Sequence, residues 1–244
     1  MDIGKSVSYI FEDEEWAGKV GVGALIMLVP VLNFVGIGYE AQVIRNVSRG
    51  QARPLPAWND FGAFFMDGLW LALARLVYAL PIFALLCLPL TSFFLLLFTT
   101  AQDERRFNTF FPFVILFCGL MFLILLLYSL TIGLLSPAVT AQYIRRGTFT
   151  ACFDVPAILR FIRDNFSNYL TVWLGSLAVG LALNIIVSPV AVFLSFIPCI
   201  GQLAYLALLG GMVIVTLLVT GHLVGQLIRA ADARTGALTP APIA

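Results

Sequence analysis

Three short runs carry most of the polar chemistry in this chain: AQVIR at 41–45, AQYIR at 141–145 and GQLIR at 225–229. Half of the six glutamines fall in this one context, each three residues before an arginine. At that spacing the two side chains share a helix face, and they offer an amide beside a planar guanidinium fork suited to a phosphate or lipid headgroup. Gln42, Arg45, Gln142, Arg145, Gln226 and Arg229 are therefore the candidate ligand contacts. The competing reading is a packing and topology signature copied with the unit that bears it, because interfacial arginine is the usual device for fixing orientation.

A second group lies inside apolar sequence: Arg75, Glu40, Asn184 and His222. Ionisable and amide groups in such places meet a partner or line a cavity. Glu40 is the natural counter-ion for Arg75, with Asp67 as the alternative; snorkelling of Arg75 to the headgroups is the competing arrangement. His222, the single histidine, fits a proton relay or an interhelical hydrogen bond.

Other chemistry finds no motif. There is no HExxH, nucleophile elbow or Walker loop, and Cys87, Cys118, Cys152 and Cys199 form no CxxC pair. No catalytic residue, metal site or cofactor is expected. The acidic run at 12–15 lacks the alternating ligands and turn glycine of a calcium loop and reads as a solvated face. A net charge of +1 gives no pull toward nucleic acid.

These residues must be held by membrane helices. Apolar residues make up 61% of the chain, charged residues 11%, and mean hydropathy is +0.99. That balance is an integral membrane protein of the all-α class. Five spans are predicted: 18–40, 64–100 with Pro81 and Pro89, 109–136, 168–198 with Pro189, and 203–229. The second and fourth are expected to be proline-kinked, and the second to be tilted or partly re-entrant. An acidic amphipathic segment, 1–16, precedes them. Ile158, Phe161, Ile162 and Phe166 mark a further helix lying in the interface.

The order of elements reads as a duplicated two-span unit, 17–100 and 109–198, closed by a last span, all within one domain at 17–235. A flexible tail, 236–244, follows. Five crossings put the three Gln-Arg ends on one side with nine arginines, against Lys5, Lys19, Arg105 and Arg106 on the other. The positive-inside rule then makes the Gln-Arg side cytoplasmic, with the N-terminus outside and the C-terminus inside a cytoplasmic membrane. The expected partners are the bilayer and either a membrane protein or an anionic lipid headgroup, met at the arginine-bearing face.

Residues 11–69 carry FEDEEW, a Pro and an Asn-Phe in the first apolar stretch, a Gly-Tyr ahead of the Arg, RG-x(3)-PLP-x-W-x-D and F-x-D-G. This pattern resembles the uncharacterised prokaryotic membrane family catalogued as domain of unknown function 4013. The resemblance implies a multi-span membrane protein and brings no activity or catalytic residue with it.

Overall fold

The computed structural model describes residues 1–100 and 103–235. One sequence expectation, the tail at 236–244, lies outside the described residues. Among those residues the elements are α1 (Ile3–Phe11), α2 (Trp16–Leu28), α3 (Asn33–Ser48), α4 (Phe61–Thr100), α5 (Glu104–Arg146), a 3-10 turn (Phe149–Phe153), α6 (Val155–Asp164), α7 (Phe166–Ser195) and α8 (Ile200–Thr235). The all-α membrane class holds.

Four helices, α4, α5, α7 and α8, are long and apolar enough to cross a membrane. The expected first span, 18–40, is two shorter helices. Val29 is extended (φ −100°, ψ 116°), as the residue before a proline prefers, and Pro30 supplies no backbone donor. The chain reverses there. Trp58 donates to the Lys19 carbonyl at 2.9 Å and stacks on Tyr39 at 4.0 Å, so residues 19 and 39 meet the same indole. In one straight helix they would stand about 30 Å apart. The pair α2–α3 is a helical hairpin with both ends on one side.

Pro81 and Pro89 do not interrupt α4, and Pro189 does not interrupt α7. Near Pro89, Thr91 and Ser92 turn their hydroxyls back to the Cys87 and Leu88 carbonyls at 2.8 Å. At 40 residues, α4 is about 60 Å long, roughly twice a hydrocarbon core, so its excess length is not taken up by re-entry.

The chain divides into two compact units, residues 1–73 with 137–244, and residues 74–136. In the second, α4 and α5 pair antiparallel: Tyr128 donates to the Tyr78 carbonyl at 2.9 Å, and the Cys118 thiol sits 3.8 Å from the Pro89 carbonyl. In the first, α8 is the axis against which α1, α2, α3 and α7 pack. Ile214, Leu218, Leu223 and Leu227 on α8 are fully buried. Register along α8 shows the hairpin directly. Gly23 faces Ile214, Gly221 faces Glu40 and Gly225 faces Val47, so α2 descends beside α8 and α3 climbs back.

Helices α3 and α4 touch backbone to backbone at two reciprocal glycines. A Cβ on Gly38 would strike the Phe64 carbonyl, and one on Gly68 would strike that of Phe34. Neither neighbour is a side chain that can swing away. Gly68→Ala is expected to cost about 1–3 kcal/mol, the usual range for overpacking, and Gly38→Ala about as much. Both are measured by reversible unfolding in mixed micelles; wild-type stability in either variant would show that α3 and α4 do not approach this closely.

Candidate functional site

The first Gln-Arg run ends in a clamp. Both guanidinium nitrogens of Arg45 donate to Asp67, one of them across 3.0 Å, and the Tyr143 hydroxyl donates to the same carboxylate at 2.8 Å. The residues come from α3, α4 and α5. Arg45 and Asp67 are each about one-fifth exposed, so the pair is partly desolvated. Gln42 turns inward along its own helix, donating to Asn46 Oδ1 at 3.1 Å and accepting from Arg45 at 3.4 Å. Asn46 in turn donates to the Pro54 carbonyl and ties down the following loop.

The second run opens on a cavity. Arg145 pairs with Asp232 at 2.8 Å and lies 5.5 Å from the centre of the Phe161 ring. Arg146 pairs with Asp154 at 2.6 Å. That guanidinium, with the Ala157 N–H, holds the Asp154 carboxyl below its ordinary range. Gln142 is buried and donates to the Ala157 carbonyl at 3.4 Å. Between α5, α6 and α8 these residues border a hollow of about 420 Å³, completed by Arg160, Arg234 and the apolar floor of Ala157 and Phe161. Helix α6 supplies that floor because Ile158 and Phe161 are buried beneath it, as the amphipathic spacing predicts; Phe166 instead opens α7 and is exposed.

The third run grips the start of the chain. Gln226 accepts from the Asp2 N–H at 2.9 Å and donates to the Asp2 carbonyl at 3.0 Å, and its amide nitrogen also lies 3.0 Å from His222 Nδ1. Tyr9 stacks on His222 at 4.3 Å and donates to the Leu218 carbonyl. Arg229 packs on Gly50, whose left-handed backbone (φ 75°) leaves room for it, and both border a smaller cavity of about 280 Å³ beside Lys5 and Gln226. Asp2 therefore sits at the same end of the unit as Gln226.

Lys5 and Lys19 move with it. Lys19 reaches Asp13 at 2.7 Å and the Leu55 carbonyl, and Arg53 reaches Glu14 at 2.9 Å, so both lysines join the arginine-bearing end. The acidic run is thus not only a solvated face: Asp13 is buried. Burial pushes its carboxyl up, and the Lys19 ammonium and the Glu15 N–H pull it further down, leaving it below its ordinary value.

Of the intramembrane candidates in the first unit, Glu40 and His222 are neighbours and Asn184 lies elsewhere. Glu40 is 2% exposed and packs on Gly221, one residue from His222. Asn184 lines a separate cavity of about 330 Å³ with Tyr205 and Ser188. Arg75 belongs to the second unit, and the alternative counter-ion Asp67 is engaged by Arg45 and Tyr143. Nor do the three Gln-Arg runs converge on one ligand; each is used locally. No group of three metal-ligating side chains gathers among the described residues.

The sequence profile of the family described as a protein of unknown function, DUF4013, matches residues 22–194. The chain belongs to this family. No curated protein and no solved structure matches it. The DUF4013 stretch holds the Arg45–Asp67–Tyr143 clamp and the floor of the arginine-bordered hollow. It stops short of the FEDEEW run that contributed to the resemblance, and of α1 and α8. The latch between Asp2 and Gln226 thus lies wholly outside the DUF4013 match.

Sequence reasoning did not find Tyr143 or Asp232 as partners, and it offered Asp67 to the wrong arginine. The F-x-D-G run at 64–68 was a signal, since an acid two turns into an apolar helix needs a nearby base.

Two outcomes follow from these contacts. Gln226→Leu removes both bonds to Asp2, so amide exchange over residues 2–10 is expected to quicken by at least roughly tenfold while the spans keep their protection. Unchanged exchange would show that the latch does not hold α1. Because the Asp13 carboxyl is lowered in the folded state, its contribution is complete above the ordinary carboxylate value and is lost as pH falls through the lowered one. Thermal midpoints in detergent should drop below about pH 4 in the wild type and drop less in Asp13→Asn, which should also be less stable at neutral pH.

Proposed function

We propose that this integral membrane protein is a non-enzymatic scaffold or accessory subunit of the cytoplasmic membrane, working through its arginine-bearing end. The observation that carries the reading is the gathering of basic side chains at one end of the first unit. Lys5, Arg45, Arg53, Arg145, Arg146, Arg160, Arg229 and Arg234 all border the clamp, the loop or the cavities there. Such an excess of basic residues beside helix ends faces the cytoplasm in multi-span proteins. The ends of α3, α5 and α8 and the start of α1 would then share that side, with four crossings and both termini inside.

The alternative is a transporter or lipid-handling protein using Arg75, Glu40, Asn184 and His222; within the first unit, Asn184 lines a cavity beside Tyr205 and Met212, whereas Glu40 packs on Gly221 next to His222. The chemistry of the arginine-bearing end is recognition: forks, carboxylates and amides on helices that leave the membrane, with no activated nucleophile among them.

Single-cysteine probes at 2, 48, 147 and 234, in a background without native cysteines, should all react with a membrane-impermeant maleimide from the cytoplasmic side. Labelling of position 2 from outside would restore a fifth crossing and contradict the hairpin. A protein co-purifying at fixed stoichiometry from mild detergent would supply the partner that an accessory subunit requires.

A further inference from the structure

We infer that the hollow between α5, α6 and α8 is a binding site for a phosphate group, with Arg160 and Arg234 as its ligand-facing pair. This deepens the reading above and rests on it only for the side of the membrane involved.

Four guanidinium groups border the hollow, and they are not equivalent. Arg145 and Arg146 are held by Asp232 and Asp154, which fixes their positions and neutralises much of their charge. Arg160 and Arg234 are exposed at the rim, and neither has a carboxylate within 4.0 Å among the described residues, although the Arg160 charge is felt by Asp154. Arg234 makes only a 3.4 Å bond to the Asp164 main-chain carbonyl. Asp164 also borders the hollow, and the other arginine of α6, Arg163, pairs with it at 3.3 Å without lining the hollow itself.

Two forks left with unused donors, on two different helices and facing one space, match the several acceptor oxygens of a phosphate. The surplus of about two positive charges suits a phosphodiester or phosphomonoester. A volume of about 420 Å³ falls within the span of small-molecule sites, roughly 300–1,000 Å³, so the hollow holds a phosphate together with the group that bears it. Ala157 and Phe161 give that group an apolar floor. The site lies where α5 and α8 end, at the level where a spanning helix meets the headgroups. A lipid headgroup and a phosphorylated solute share this chemistry.

The test uses the full chain in detergent and native mass spectra recorded with added phosphatidylglycerol, with phosphatidylcholine, and with inorganic phosphate as competitor. The wild type should retain phosphatidylglycerol, and Arg160→Gln/Arg234→Gln should weaken that retention by at least roughly tenfold, as loss of charge-assisted hydrogen bonds requires. Arg53→Gln, which removes an exposed arginine paired with Glu14 and outside the hollow, should leave retention as in the wild type. The two single changes, on α6 and α8, provide independent readings should the double variant fail to fold.

Displacement of the lipid by millimolar phosphate would identify a soluble phosphate as an accepted ligand; retention against it would identify the lipid headgroup. Either result supports the site. Equal retention by the wild type and the Arg160/Arg234 variants, or an equal loss in Arg53→Gln, would overturn it in favour of diffuse surface charge. Failure here leaves the maleimide labelling pattern unaffected, so the site and the membrane orientation are judged separately.

Discussion

Arg45 and Asp67 meet where α3 ends and α4 is two turns old, and the path of residues 46–66 is set by that meeting. An arginine and an aspartate at the edge of an apolar medium are costly apart, because each would keep a desolvated charge without an opposite. Together, with the Tyr143 hydroxyl on the same carboxylate, they fix the ends of three helices at one level. The loop that joins them is then tied from all sides: Asn46 and Tyr39 donate to the Pro54 and Pro56 carbonyls, Lys19 reaches Leu55, and Trp58 reaches back to Lys19. These links also anchor the mouth of the α2–α3 hairpin. The remaining requirement is close packing. Helices α3 and α4 meet at bare glycine backbone, and α8 presents Gly221 and Gly225 to α3, so the returning arm of the hairpin lies tightly against its neighbours.

Function follows from what this clamp leaves over. Arg45 is committed to structure. The other two Gln-Arg runs also lie toward the C-terminal ends of their helices but spend their groups differently, Gln226 on the first residues of the chain and Gln142 on the wall of a hollow. A motif repeated three times therefore yields one internal strut, one latch and one open basic site. The open site is formed jointly by α5, by α6 lying at the surface, and by the last turns of α8, so its shape depends on the clamp that sets the end of α5.

Much of this was legible in the letters, and the illegible part has a physical reason. Long apolar runs announced α4, α5, α7 and α8, since span length depends only on rise per residue and hydrocarbon thickness. The spacing of Ile158 and Phe161 announced α6. Proline was the ambiguous letter. Pro81, Pro89 and Pro189 lie inside continuous helices, whereas Pro30 ends one, and the difference resides in tertiary packing: Met27 folds onto Gly36 and both arms find α8. No local pattern separates the two cases. Reading 18–40 as one span also hid the contacts of Asp2 with Gln226 and of Lys19 with Asp13 and Leu55. Among site residues, the Gln-Arg runs were visible as a repeat, but their partners Asp67, Asp232 and Asp2 are 22, 87 and 224 residues away in sequence and emerge only once the helices are placed.

The most direct test of the account is a double-mutant cycle on Arg45→Ala and Asp67→Ala, read by reversible unfolding in mixed micelles. If the pair organises the three helix ends, the single changes are each strongly destabilising and the double change costs far less than their sum, with a coupling above about 1 kcal/mol. Additive losses, within about 0.5 kcal/mol, would mean that the two charges stand independently and that something else holds α3, α4 and α5 together.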